Sequence, residues 1–220
     1  MSFGDAVRAH VPEALFAAWL GLWIALAIEP VYRADWLLEN LLVFVAVPAL
    51  VLTRSRMRFS NAAYACLAAF FALHAIGAHY TYSIVPYDAW FEQLTGRGLN
   101  AMLGWSRNHY DRFVHFAYGA LLLLPASELL DRIAPARGAW RFFLPVLFIA
   151  SHSVIYELIE FAAAIVFGGD LGQAYVGTQG DEWDSQKDSL LATSGALLAA
   201  LALLARRAHA ARKEGPGWEI

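Results

Sequence analysis

Thiols are all but missing from this chain. One cysteine, Cys66, occurs in 220 residues, so no internal disulfide can form and there is no CxxC-type zinc site. Lying inside an apolar run, Cys66 reads as a small buried side chain. Charge is scarce as well, at 16% of residues against about 25% in soluble domains, and it gathers in short clusters. That distribution excludes a disordered tail, a coiled coil and a nucleic-acid binder with a broad basic face. The net charge of −3 specifies no partner. Fixed-period repeats are absent, and so are low-complexity tracts other than alanine and leucine runs.

Apolar residues fill the chain instead: 59% are hydrophobic and the mean hydropathy is +0.47, too apolar for a soluble globule. A helix crosses the hydrocarbon core with about 20 mostly apolar residues. Six stretches approach that length: 13–31, 36–53, 61–80, 112–131, 140–168 and 187–205. The first reads as a retained span, because Leu15 to Ile28 runs into Glu29-Pro30-Val31-Tyr32 and not into a small-x-small cleavage site. The expected fold is all-α: one polytopic membrane domain over residues 1–220 with six transmembrane helices. An even number of spans places both termini on one side. With both inside, the cytoplasmic segments hold eleven of the sixteen basic residues. These are Arg8; Arg54, Arg56 and Arg58; Arg132, Arg137 and Arg141; and Arg206, Arg207, Arg212 and Lys213. Basic loops favour the cytoplasm, so N-in/C-in is the expected orientation.

Two longer external segments follow from this arrangement, 81–111 and 169–186. Trp90, Phe91, Leu94, Leu99, Met102 and Leu103 among glycines in the first predict a short amphipathic helix on the membrane surface. The second is glycine-rich and acidic.

Ionisable residues inside spans are costly, and they usually face a bundle interior or an aqueous cavity. Helical spacing turns several of them into faces: Asp111 and His115 at i,i+4, Glu157 and Glu160 at i,i+3, and Asp184 and Asp188 at i,i+4, with Asp181 a turn further out. At about 1.5 Å per residue, His74, His115, Glu160 and Asp188 lie at similar depths below the outer ends of their spans. Carboxylates and imidazoles projecting from neighbouring helices are how metal sites in bundles are built. The candidate metal ligands are therefore His74, Asp111, His115, Glu157, Glu160 and Asp188. Oxygen and nitrogen donors without thiolate suit a divalent zinc, manganese or iron ion. Two carboxylates one turn apart in an apolar span, Glu157 and Glu160, repel each other unless a proton or cation lies between them.

Asp181 and Asp184 are the candidate general bases. Arg112 or Lys187 would hold an anionic headgroup, with Tyr80 completing the substrate-binding set. Each has a plainer reading. Asp111-Arg112 reads equally as an interfacial ion pair, Tyr80, Tyr82, Trp90, Trp105, Tyr110 and Trp183 as an aromatic belt, and Asp181 and Asp184 as solvated loop acids. Likewise His79 and His109 suit interface positions, His152 a packing role, and Glu29, Glu39 and Glu128 solvated or snorkelling positions.

Four motifs, His74-x-x-Gly77-x-x-Tyr80-Thr81-Tyr82, Asn108-x-Tyr110-Asp111-Arg112-x-x-His115-Phe116, Tyr156-Glu157-x-x-Glu160 and Gly177-Thr178-Gln179-Gly180-Asp181-x-Trp183-Asp184-x-Gln186-Lys187-Asp188, give the chain a resemblance. It resembles the YjdF-like family of bacterial inner-membrane proteins. The resemblance implies a multi-pass inner-membrane protein and hands over no activity. A looser likeness is to VanZ-like membrane proteins, carried by Asp111-Arg112-x-x-His115, the acids Glu157 and Glu160, and Asp188 before Ser194-Gly195-Ala196. The leading functional expectation is a metal-dependent hydrolase acting in the lipid bilayer on a lipid or lipid-linked substrate, with no nucleic-acid partner. A proton- or cation-coupled transporter and a structural or accessory subunit remain as alternatives.

Overall fold

A computed structural model describes residues 10–214, with backbone alone for Leu171, Gln173, Ala174 and 210–214. Arg8 and the side chains of Arg212 and Lys213, counted above among the basic residues, lie outside the described residues. The described chain is all helix and turn, with no strand.

The helices are α1 (Val11–Ala27), α2 (Arg33–Glu39), α3 (Leu41–Thr53), α4 (Asn61–Tyr80), α5 (Tyr87–Thr95), α6 (Leu99–Leu103), α7 (Tyr110–Ile133), α8 (Trp140–Phe167), α9 (Gly169–Val176) and α10 (Asp184–Glu214). Four of them, α4, α7, α8 and α10, are long and apolar enough to cross a membrane, and α2 with α3 makes a fifth if the bent pair is one span. The remaining apolar helix, α1, is shorter at 17 residues. Only 28–33% of each long span is buried inside the protein. Side chains such as Val45, Leu52, Phe161, Ile165, Val166 and Leu190 stay exposed around the bundle, where hydrocarbon is the medium that suits them.

Two elements differ from the sequence expectation. The stretch 36–53 is not one rod: it bends by 41° at Asn40. The Asn40 side chain is fully buried; its Nδ2 donates to Trp36 O at 2.8 Å and its Oδ1 accepts from Trp23 Nε1 at 2.7 Å. A short polar side chain that bonds nearby backbone competes with helical continuation. The acidic segment after 168 is not all loop either, since α9 folds back onto α8, with Gly172 against the Ala164 backbone. In 81–111, where one short amphipathic helix was expected, the chain forms two short helices, α5 and α6.

The core lies between α7, α8 and α10, around Leu123, Ile149, Val146 and Ala196. Here α7 and α10 approach backbone to backbone. A Cβ on Gly119 would stand 1.8 Å from Ala192 O, and one on Gly195 would stand 2.2 Å from Phe116 O. Small residues at such crossings let membrane helices pack by dispersion where no hydrophobic driving force exists.

The bundle has two chemically different ends. At the basic end, Arg54 pairs with Glu13, Glu128 accepts from Ser60 N at 2.8 Å and from Ser60 Oγ at 2.5 Å, and Arg141 pairs with Asp131 at 2.9 Å. At the opposite end, His79 Nδ1 meets Leu26 O at 2.8 Å, and Val31 N donates to His79 O at 3.0 Å. Thus α1 runs beside α4 from one end of the bundle to the other.

Candidate metal centre and its cavity

The first two turns of α7 carry Asp111 and His115 on one face, and the first turn and a half of α10 carries Asp184 and Asp188. Because Gly119 and Gly195 bring these two helices together, Asp188 meets the Asp111–His115 face. One ligand atom from each of Asp111, His115 and Asp188 lies within 4.8 Å of the others. His115 Nε2 is also 3.5 Å from Asp111 Oδ1 and 3.6 Å from Glu157 Oε1. Asp188 is 2% exposed and Glu157 8%. Asp188 Oδ1 and Glu157 Oε1 are buried without a hydrogen-bond partner among the described residues. Three carboxylates around one imidazole, two of them with an orphaned oxygen, form a donor set that a divalent cation or shared protons would satisfy.

Above this group sits an ion network. Arg107 Nη1 donates to Asp184 Oδ1 at 2.6 Å and lies 3.5 Å from Asp181 Oδ2. Arg112 Nη2 reaches the same two acids, at 3.2 Å for Asp184 Oδ1, and Lys187 Nζ donates to Asp181 at 2.6 and 2.9 Å. The Lys187 hydrogen bond, helped by Arg112, holds the Asp181 carboxyl well below the usual aspartate range. Burial first, then Arg112 and Arg107, lowers His109 at the start of α7. The two aspartates expected as bases are thus paired to cations, and the cations expected to seize a headgroup are paired to aspartates. Tyr80 stands apart from the network, its ring edge-on to His79 at 4.6 Å and to Trp90 at 5.8 Å.

His74 and Glu160 lie outside the three-ligand group but line the same cavity as Asp111 and His115. The cavity encloses about 390 Å³ between α3 and the long helices α4, α7 and α8, with Leu42, Val45 and Ile159 among its apolar walls. Both His74 ring nitrogens are engaged: Nε2 with Glu39 O at 3.1 Å and Nδ1 with Tyr82 OH at 2.5 Å. The motif that begins at His74 is thereby explained. Thr81 and Tyr82 take left-handed φ values of 54° and 42°, turning the chain back so that the Tyr82 ring lies on Gly77. A Cβ there would sit 2.6 Å from the ring. Burial pushes the Tyr82 phenol well above its ordinary range.

Several residues at the site escaped the sequence reading. Glu39 is not solvated: it is 5% exposed, lines the cavity and accepts from Tyr156 OH at 3.2 Å. Its helix also carries Asp35, fully buried and bonded to Thr81 Oγ1. The signal was available, since Asp35 and Glu39 stand at i,i+4 like Asp111 and His115. Arg107 carried none, because it reaches the site from a loop. Of the plainer readings, Glu29 is exposed, Glu128 caps α4 through Ser60, and His152 bonds Phe148 O within its own helix at 2.9 Å.

Comparison with known proteins agrees with the motifs. An inner membrane protein of Escherichia coli (strain K12), YjdF, is 34% identical over 166 residues, which cover 75% of each chain. No solved structure matches. The family described as predicted membrane protein (DUF2238) matches residues 11–209, nearly the whole described chain, and this membrane protein belongs to that family.

Proposed function

We propose that this is a six-span enzyme of the bacterial inner membrane, with both termini in the cytoplasm, that uses a divalent metal to hydrolyse a lipid or lipid-linked substrate at the outer face. The observation that carries the reading is the convergence of Asp111, His115 and Asp188 within 4.8 Å beside a cavity with apolar walls. Zinc, manganese and iron suit the oxygen and nitrogen donors. A metal there would lower the pKa of water toward neutrality. Glu157 takes the role of base in this reading, ahead of Asp181 and Asp184, because its Oε1 has no hydrogen-bond partner and only His115 nearby at 3.6 Å, while both aspartates are held by arginine or lysine. In the proposed step the water proton passes to Glu157 as the water oxygen bonds to the ester centre, and the bond to the leaving oxygen breaks as Glu157 returns that proton to it. The name of the Escherichia coli relative supports the inner-membrane placement.

The test is thermal melting in mild detergent with and without zinc or manganese. Wild type should melt higher with metal. Glu157→Gln and Asp188→Asn remove like charge, so their apo forms should melt no lower than wild type and should not respond to metal. In a purely structural network, stranding a buried partner costs about 1–3 kcal/mol. Variants that melt well below wild type, with no metal response in any protein, would overturn the proposal.

A further inference from the structure

The 390 Å³ cavity holds carboxyl groups that no basic side chain among the described residues pairs with. Glu39, Asp111 and Glu160 line it, and no lysine or arginine does. Asp111 belongs to the metal group, which leaves Glu39 and Glu160. Glu160 is 9% exposed and has no hydrogen-bond or ion-pair partner among the described residues; Glu39 has only the Tyr156 hydroxyl. Of the histidines that line the cavity, His74 faces a carbonyl with one nitrogen and a phenol with the other, the pairing of a neutral imidazole. Tyr82, Tyr156 and Tyr175 line the same cavity as the two carboxyl groups. Carboxylates among aromatic faces are the surroundings that bind ammonium groups. Beyond them the cavity continues between α3 and α8 along apolar walls.

Resting on the metal-dependent reading above, we infer that the substrate is a zwitterionic, amine-bearing phospholipid. Its ammonium group lies between Glu39 and Glu160, its phosphate faces the Asp111–His115–Asp188 group, and its chains lie along α3. The arrangement matches charge to charge: the cationic end of the headgroup meets the acids that lack a cation, and the phosphate end meets the metal ligands, with Arg107 and Arg112 behind them. An anionic lipid without an amine would leave Glu39 and Glu160 facing its uncharged or negative end. Entry from the bilayer past α3 is consistent with how that helix is held, through Phe44 against Trp23 and Trp36 near its first turns.

Delipidated protein in detergent, offered equal mixtures of dioleoyl lipids and read by native mass spectrometry, tests this. Phosphatidylethanolamine should be retained at least tenfold over phosphatidylglycerol and over N-acetylated phosphatidylethanolamine, which keeps the phosphate and chains but loses the positive charge. Glycerophosphoethanolamine, without chains, should not compete at matched concentration. In Glu39→Gln and Glu160→Gln the preference should fall toward parity while phosphatidylglycerol retention is unchanged. Equal retention of the acetylated lipid by wild type, which needs no variant to fold, would overturn the inference, as would a preference that survives both variants or full competition by the chainless headgroup. Metal titration of the same samples keeps the two readings apart. A headgroup preference without metal response defeats only the metal reading, and a metal response without headgroup preference defeats only this one.

Discussion

His115 shows how the site works residue by residue, since one imidazole nitrogen stands within 3.6 Å of acids from two helices. Asp181 shows the opposite condition, an acid saturated with donors from Lys187 and Arg112. Its folded pKa is depressed, so the stability it contributes is fully present above the unfolded value, about 3.9, and is lost as pH falls through the folded one. Wild type should therefore lose melting temperature more steeply than Asp181→Asn below about pH 4. At neutral pH the variant should melt lower than wild type, and the two should converge in acid. Parallel acid limbs would mean that the network adds nothing to stability. Asp111, His115, Glu157 and Asp188 were legible from their helical spacing, because shared faces on apolar helices leave few places for charge. Glu39 was misread because its neighbours in the chain, at a short turn between two apolar runs, resemble those of a solvated acid. The i,i+4 spacing of Asp35 and Glu39 marks a shared face, but the 41° bend that follows Glu39 is something spacing does not report.

At the scale of the element, the decisive contact is the α7–α10 crossing, which sets the register between Asp111–His115 and Asp188. Any side chain on Gly119 or Gly195 would drive a Cβ into backbone, at 1.8 or 2.2 Å from a carbonyl oxygen, and backbone cannot step aside as a flexible side-chain tip can. Overpacking of this kind costs about 1–3 kcal/mol, or roughly 2–12 °C of melting temperature for a chain of this size. Gly119→Ala and Gly195→Ala should fall in that range and should lose the metal response together, although neither residue is a ligand. Gly21→Ala, with nothing within 4 Å of its Cβ, should do neither. An unchanged metal response in the crossing variants would mean that the ligands do not depend on this contact. The small-residue run Ser194-Gly195-Ala196 was legible in the sequence, and Asn61–Tyr80 fell where the apolar run placed it. The fold-back of α9 onto α8 was not, because a glycine-rich acidic stretch has the composition of a loop, and what holds it as a helix is packing against α8.

For the whole molecule, two lines of reasoning bear on how it sits in the bilayer. One is the distribution of basic residues, with eleven of sixteen on the segments assigned to the cytoplasm. The other is the path of α1. Its 17 residues rise about 26 Å at 1.5 Å each, a little under the hydrocarbon thickness of about 30 Å. Yet its ends are tied to both ends of the bundle, Glu13 to Arg54 and Leu26 to His79. A helix anchored at both levels runs beside α4 over the whole length of that helix, which is the packing the proposed six-span arrangement requires. Single cysteines in a Cys66→Ala background test the orientation. Gln93→Cys and Glu182→Cys, both at exposed positions near the site end, should react with an impermeant maleimide in intact cells. Ser55→Cys and Ala139→Cys, exposed at the basic end, should react only after permeabilisation. The reverse pattern would invert the molecule and put the site in the cytoplasm. If Gln93 and Ser55 labelled from the same side, α4 could not be crossing the bilayer at all, and the six-span fold would fall with it.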